Sequence, residues 1–173
     1  MSNDFPLEPV LIFLLGTPFF EKLEPDELQE IIHLVDKVAF LKGDTIFNEG
    51  DPGDAWYVVY KGAVDVLNDG NKITSIGPQN CFGEMSILDK LPRSATVVAS
   101  VDSVLLRITS EVFDQLIKED KLVAYKLIHE MAILLSHRQR TSTEKLSELI
   151  KSEDISDVRT EIRSIVENST VRE

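Results

Sequence analysis

Glycine residues divide the middle of this chain into short segments. Seven of the eight glycines lie from Gly43 to Gly83, and the segments between them are rich in β-branched and aromatic residues. Frequent turn signals between short β-prone segments are typical of an antiparallel barrel or jelly roll. The pair Asp69-Gly70 predicts a tight hairpin turn, because it accepts the positive φ angles that such turns require. The predicted strands are Thr45–Phe47, Trp56–Tyr60, Ala63–Leu67, Lys72–Ile76, Ser94–Ser100 and Ser103–Ile108.

Helical patterns lie on both sides of this region. An apolar segment at residues 7–20, interrupted by glycine and proline, predicts a short helix followed by a turn. Pro25 and the acidic residues after it favour a helix start, and Ser110 is a suitable N-cap for a helix after the barrel. A longer helix is predicted at about residues 121–140. We therefore expect an α+β fold, an antiparallel jelly roll (double-stranded β-helix) flanked by N-terminal and C-terminal helices.

The long helix carries an apolar stripe with two interpretations. Its residues recur at steps of four, three and four, as expected for one buried helical face. The stripe could pack onto the barrel, or it could form the seam of a homodimer or a surface for another protein. The residues of the stripe are Ala124, Ile128, Met131 and Leu135, flanked by Leu127 and Leu134.

These patterns divide the chain into four parts. We predict N-terminal helices at 1–36, the β-barrel at 37–109, C-terminal helices at 110–140 and an acidic tail at 141–173. The tail is rich in Ser, Thr and acidic residues, which fits partial disorder. Its spaced apolar residues between Ile155 and Val166 fit one more amphipathic helix equally well.

Charge and composition exclude several classes of function. Thirty acidic and eighteen basic residues give a net charge of -12, which would repel a polyanion, so we expect no nucleic-acid partner. The longest apolar run, Val10–Leu15, is too short to cross a bilayer, and the segment before it is acidic where a secretory signal is basic. The single cysteine, Cys81, fits a reducing compartment. We therefore expect a cytoplasmic protein with no membrane partner.

Several residues with reactive or aromatic side chains have simple structural interpretations. His33, His129 and His137 lack the spacing of metal ligands, so no metal site is predicted. Trp56 and Tyr57 lie in a predicted strand and are expected in the core rather than beneath a nucleotide base. Cys81 is expected to be an inert, partly buried thiol. No catalytic arrangement of side chains stands out.

The stretch that begins at Gly83 combines the groups that a phosphate ester of a sugar requires. A guanidinium such as that of Arg93 makes two parallel hydrogen bonds to a phosphate. Backbone N–H groups at a helix start also bind anions, and a glycine before the helix allows close approach. A carboxylate such as that of Glu84 accepts a hydrogen bond from a sugar hydroxyl. The alternative is an internal salt bridge between Glu84 and Arg93, which stand nine residues apart.

These residues resemble a known motif. The stretch "FGEMSILDKLPRSATVVA" is similar to the phosphate-binding cassette of cyclic nucleotide-binding domains, in which Phe-Gly-Glu is followed by small or apolar residues and then by Arg-(Ser/Ala/Thr)-Ala-Thr. We place this cassette at residues 82–96. Upstream, "KGDTIFNEGDPGDAWYVVYKGAVDV" resembles the first half of the same domain. The resemblance covers about residues 20–140.

The resemblance implies a role for each cassette residue. Glu84 would accept a hydrogen bond from the ribose 2′-OH, and Arg93 would pair with the cyclic phosphate. Backbone N–H groups of Gly83, Ser86 and Ser94 would complete the anion site, together with the Ser94 hydroxyl. Ser86 stands where the family often has Ala, and we expect it to act through its backbone. Met85 and Ala95 belong to the motif and are expected to pack.

The function implied by the resemblance is regulation and not catalysis. The module would bind cAMP, with cGMP less favoured, and would signal through movement of the C-terminal helix, with no cofactor besides this ligand. One alternative is an interaction domain of the same fold with no ligand. Another is a truncated relative of a cAMP-dependent transcription regulator, although the acidic residues that follow Arg140 argue against DNA binding. A third is a kinase regulatory subunit or a channel segment.

Overall fold

The middle of the chain forms eight antiparallel strands within residues 7–151, the part that this computed structural model describes. The strands are β1 (Asp36–Phe40), β2 (Thr45–Phe47), β3 (Ala55–Lys61), β4 (Val64–Asn68), β5 (Asn71–Ile76), β6 (Cys81–Phe82), β7 (Thr96–Ala99) and β8 (Ser103–Thr109). One sheet has the order β1-β8-β3-β6, and the other has the order β2-β7-β4-β5. The predicted jelly roll is confirmed.

Helices precede and follow the strands, as predicted. They are α1 (Leu7–Leu15), α2 (Pro25–Ile32), α3 (Met85–Asp89), α4 (Ser110–Lys118) and α5 (Leu122–Lys151), with a 3₁₀ turn at Pro18–Phe20. Pro25 opens α2 as the sequence indicates, and Glu24 and Glu27 form a capping box there. The fold is therefore α+β with helices on both sides of the jelly roll.

The bounds of several strands and one hairpin turn agree with the prediction from the sequence. β2 has the predicted bounds, and β3, β4, β5 and β8 differ from their predicted bounds by at most one residue at each end. Asp69 and Gly70 have φ angles of 48° and 77°, and the flanking residues Asn68 and Asn71 face each other in the ladder. Two positive φ angles in a two-residue loop define the hairpin turn that matches strand twist.

β7 is shorter than predicted, Thr96–Ala99 instead of Ser94–Ser100, and three other elements also differ from the prediction. β1 pairs with β8 from Asp36↔Arg107 onward, although no turn signal in the sequence separates β1 from α2. β6 is too short to give a pattern of its own. The N-cap of α4 is Thr109 and not Ser110, because β8 runs directly into the helix and the Thr109 hydroxyl accepts from the Val112 N–H at 3.3 Å.

The core inside the jelly roll is aromatic on the side of the cassette. Tyr57 stacks on Phe82 with ring centroids 5.2 Å apart, and Phe47 packs against both rings. The other face of β3 carries Trp56, which is fully buried and contacts Phe19 at 5.1 Å between ring centroids. Both residues thus have the core positions expected for them.

The long helix is partly packed and longer than expected. Ala124, Leu127 and Met131 are at most 1% exposed, so this part of the stripe packs within the chain itself. The helix passes residue 140, where the sequence analysis ended it, and continues to Lys151. No glycine or proline interrupts it, and the Thr143 hydroxyl donates to the Gln139 carbonyl at 2.9 Å, so this polar residue is accommodated within the helix.

The part of α5 from Ala132 to Ile150 is mainly exposed, with half-buried apolar residues on it. Those residues are Ile133, Leu134, Leu135, Leu146 and Ile150. The further helix considered between Ile155 and Val166 lies outside the described residues.

Candidate functional site

The cassette is a sharp turn and a short helix between two strands. β6 ends at Phe82, Gly83 adopts a φ of 79° and α3 begins at Met85, so a glycine stands just before a helix start, as the sequence predicts. The helix ends at Lys90, whose φ of 58° is left-handed. Lys90 also pairs with Asp114 of α4 at 2.7 Å. The cassette helix is therefore linked to the first helix after the barrel.

Arg93 lies at the centre of this turn and is 4% exposed. Its Nη1 donates to the Gly83 carbonyl at 3.1 Å and to the Ser86 hydroxyl at 2.9 Å. Its Nη2 donates to the Ala55 carbonyl at 2.6 Å and to Asp54 Oδ1 at 2.9 Å. The ion pair of Arg93 is thus with Asp54, and not the salt bridge with Glu84 that the spacing allowed.

The remaining nitrogen of Arg93 has a different environment. Nε is buried and has no hydrogen-bond partner within residues 7–151. The guanidinium also lies over the Phe47 ring, 4.0 Å from its centroid. A buried N–H donor without an acceptor is costly, so this atom is the natural place for an acceptor from a ligand.

The backbone of Arg93 is fixed by the loop before β3. The Gly50 N–H donates to the Arg93 carbonyl at 2.9 Å, and the Arg93 N–H donates to the Asp51 carbonyl at 2.8 Å. Asp54 and Ala55, at the end of the same loop, hold the guanidinium. The loop before β3 therefore positions both the backbone and the guanidinium of Arg93.

Close packing explains two glycines of the site. A Cβ on Gly83 would lie 2.8 Å from Arg93 Nη1, and its positive φ also disfavours a side chain. A Cβ on Gly53 would lie 2.1 Å from the Cβ of Ser86. Both glycines let a backbone segment approach the arginine and its partners.

Glu84 and Ser86 are both buried. Glu84 is 1% exposed, and its carbonyl accepts from the N–H groups of Ile87 and Leu88, which starts the helix. Ser86 is 4% exposed, and its hydroxyl donates to the Gly83 carbonyl at 3.2 Å while it accepts from Arg93. Ser86 was expected to act through its backbone alone, whereas its hydroxyl is a direct partner of the arginine.

The other cassette candidates lie at the edge of this cluster. Ser94 is exposed, and its hydroxyl is 3.9 Å from the Met85 sulfur. Met85 is 45% exposed, so the expectation that it packs is wrong for this structure. Ala95 is half-buried. The structure thus places the buried Glu84, Ser86 and Arg93 next to the half-buried Gly83 and leaves Met85 and Ser94 exposed.

Tyr57 is a buried neighbour of the charged groups. Burial raises the pKa of its phenol and the Asp54 charge raises it further, whereas Arg93 and Arg107 act in the opposite direction. The phenol therefore stays neutral at physiological pH, in keeping with its place in the aromatic core.

Sequence reasoning missed Asp54 and the Ala55 carbonyl. Both lie almost forty residues before Arg93, and their part in the site depends on strand pairing. The register Tyr57↔Phe82 between β3 and β6 brings the start of β3 next to Gly83. The only local signal was an acidic residue directly before a buried strand.

The described part of the chain shows neither a metal site nor a membrane-spanning helix. Between residues 7 and 151, no cluster of His, Cys, Asp and Glu side chains is arranged to hold a metal ion. Over the same range, no helix is both long and apolar enough to span a bilayer.

Comparisons with known proteins agree with this geometry. The family model of the cyclic nucleotide-binding domain matches residues 37–120. The chain is 40% identical over 86 residues to a cAMP-dependent protein kinase regulatory subunit of Eremothecium gossypii, covering 50% of this chain and 19% of that protein. It is 35% identical over 130 residues to a cyclic AMP receptor protein of Thermus thermophilus, covering 72% and 58%. The chain thus spans less than two thirds of these curated relatives.

Solved structures give the same answer. A cyclic nucleotide-binding domain from Methylobacillus flagellatus superimposes with a TM-score of 0.73 at 26% identity, covering 86% of each chain. The Thermus thermophilus catabolite activator protein superimposes with a TM-score of 0.65 at 33% identity, covering 76% of this chain and 62% of that one. This chain belongs to the cyclic nucleotide-binding domain family.

Proposed function

We propose that this chain is a regulatory module that binds a cyclic mononucleotide, cAMP in preference to cGMP, and that it is not an enzyme. The environment of Arg93 is the observation that carries the proposal. Its guanidinium is buried in the cassette, and its buried Nε donor has no acceptor within residues 7–151. A cyclic phosphate oxygen would satisfy that donor.

Asp54 supports the proposal because its bond to Arg93 is replaceable. The Asp54 side chain is 70% exposed, whereas that of Arg93 is 2% exposed. A phosphate that takes the place of this carboxylate releases it to water, where it loses little. The Ala55 and Gly83 carbonyls would continue to hold the guanidinium in place.

Glu84 would hold the sugar of the same ligand. A buried carboxylate accepts hydrogen bonds strongly, and a ribose 2′-OH is a matching donor. Hydrogen bonds to charged groups contribute about 1.5–3 kcal/mol each, so four or five reach the ~8 kcal/mol of a micromolar ligand after association costs. Ser94 does not decide between the two bases, since its exposed hydroxyl is compatible with either nucleotide.

The names of the relatives support cAMP over cGMP. One is described as a cAMP-dependent protein kinase regulatory subunit, and another as a cyclic AMP receptor protein. We extend that preference to this chain as part of the proposal.

Signalling would pass through the start of α5. Ligand binding at the cassette would shift the population between two arrangements of this helix and alter a homodimer or partner surface. Ion pairs join α5, and the residue just before it, to the N-terminal helical segment, so movement of one would displace the other. The pairs are Lys121–Glu30 at 2.6 Å, Lys126–Glu27 at 2.7 Å and Lys22–Glu130 at 2.7 Å.

Calorimetric titration with cAMP and then cGMP tests the proposal. Arg93→Ala should abolish binding, while Arg140→Ala, which removes an exposed arginine, should bind as the wild type does. Because Arg93→Ala also removes partners from Gly83 and Ala55, its fold should be checked by circular dichroism, and Glu84→Gln should weaken binding without that loss. Wild-type affinity in a folded Arg93→Ala variant would refute the site.

One observation favours a second candidate, a domain of the same fold that binds no ligand. Both Nη nitrogens of Arg93 already have protein acceptors, so the cluster is largely satisfied internally. Thermal melting separates the two functions, because a ligand of the native state raises the melting midpoint. A midpoint unchanged by millimolar cAMP and cGMP would favour the ligand-free domain.

A further inference from the structure

The tip of the β4–β5 hairpin reaches the cassette. The Asn68 side-chain amide donates to Glu49 Oε1 at 3.1 Å and to the Ser94 carbonyl at 3.5 Å. The Asp69 N–H lies 3.5 Å from Glu49 Oε2. The hairpin turn therefore contacts two segments that are far from it in sequence.

Those two segments are the ones that hold Arg93. Glu49 donates its N–H to the Thr96 hydroxyl at 3.0 Å, and the next residue, Gly50, donates to the Arg93 carbonyl at 2.9 Å. Ser94 directly follows Arg93. Asn68 thus bridges the loop on one side of the arginine and the chain on its other side.

We propose that Asn68 is a positioning residue for the nucleotide site, an inference that rests on the proposed function. Its amide NH₂ group offers two donors, and its two partners are acceptors. In the bridged arrangement the Ser94 segment, which carries a candidate contact to the cyclic phosphate, is held at a fixed distance from the Gly50–Asp51 loop. Without the bridge, only the hydrogen bonds at the Arg93 backbone and the Thr96 hydroxyl join the two segments. Ligand binding must then restrict the remaining motion of the Ser94 segment, which lowers affinity.

Asn68→Ala and Asn68→Asp test this role, with Asn71→Ala as the matched control. Asn71 lies opposite Asn68 in the same hairpin, and its amide donates at 3.4 Å to the Asp69 carbonyl within the turn. We expect Asn68→Ala to weaken cAMP binding by about three- to tenfold in calorimetry, and Asn71→Ala to leave it unchanged. Asn68→Asp should weaken binding more, because it places an acceptor and a negative charge against Glu49.

A second substitution separates positioning from general stability. Glu49→Gln in the Asn68→Asp background restores a donor–acceptor pair, so it should recover part of the lost affinity. If Asn68 has only a structural role, Asn68→Ala and Asn71→Ala should lower the melting temperature equally and leave the affinity for cAMP unchanged. That result would overturn the inference. If wild-type protein binds neither nucleotide, the proposed function fails with it; if wild type and Asn68→Ala bind equally well, only the role of Asn68 fails.

Discussion

Replacing Gly53 with Ala should destabilise the domain and weaken nucleotide binding together. The new Cβ would lie 2.1 Å from the Cβ and 2.3 Å from the hydroxyl oxygen of Ser86. Since carbon atoms pack at about 3.5–4.0 Å, the loop and the cassette helix must separate by roughly 1 Å or more. Overpacking of this kind costs about 1–3 kcal/mol. For a chain of this size, each kcal/mol lowers the melting temperature by about 2–4 °C.

The movement also reaches the arginine. The Ser86 hydroxyl accepts from Arg93 Nη1 at 2.9 Å, so displacement of Ser86 disturbs the guanidinium. Affinity for cAMP should therefore fall along with stability, whereas a purely structural glycine would change stability alone.

Gly77→Ala is the matched control, because a Cβ at Gly77 has no atom within 4 Å. It should change the free energy of unfolding by about 0.5 kcal/mol or less, measured for both variants by urea denaturation. The exchange Gly53→Ala with Ser86→Gly removes the clashing atoms and should recover part of the stability. Equal stability of Gly53→Ala and Gly77→Ala would refute the close-packing argument.

Two further predictions concern the helices. Burial raises the pKa of Glu27, but hydrogen bonds from Lys126 and the Glu24 N–H outweigh it and leave the pKa lowered. The extra stability of the wild type over Glu27→Gln should therefore hold at neutral pH and shrink below about pH 4.3. A difference in the free energy of unfolding, measured by urea denaturation, that stays constant down to pH 3 would contradict this. Leu127 is 1% exposed, so Leu127→Ala should lower the free energy of unfolding by about 2–5 kcal/mol independently of protein concentration. Leu122 is 63% exposed, so Leu122→Ala should lower it little. A loss of stability that disappears on dilution would instead place Leu127 in a dimer seam.

Local sequence chemistry predicted much of the fold. The Asp69-Gly70 turn and the bounds of β2 follow from the conformational preferences of residues that are adjacent in the sequence. β1 and β6 could not be found this way, since β1 is defined by its pairing with β8 and β6 by its pairing with β3. The length of α5 was missed because polar residues after Arg140 resemble a helix end, although they are accommodated within the helix.

The candidate site divides in the same manner. Gly83, Glu84 and Arg93 lie within one short stretch, so their order and spacing were visible in the sequence. Asp54 and the Ala55 carbonyl were not, because only the register between β3 and β6 brings them to the guanidinium. The hydroxyl of Ser86 was undervalued because its contact with Arg93 depends on how the cassette folds back on itself.

The sequence by itself determined the jelly roll, its flanking helices and a cassette with a carboxylate and a guanidinium nine residues apart. These depend on turn preferences and residue spacing, which act between neighbours in the chain. The tertiary structure decided which groups hold the guanidinium: Asp54 instead of Glu84 as its ion-pair partner, and a loop before β3 that fixes its backbone. Strand pairing determines these contacts, because it sets the distances between residues that are remote in sequence.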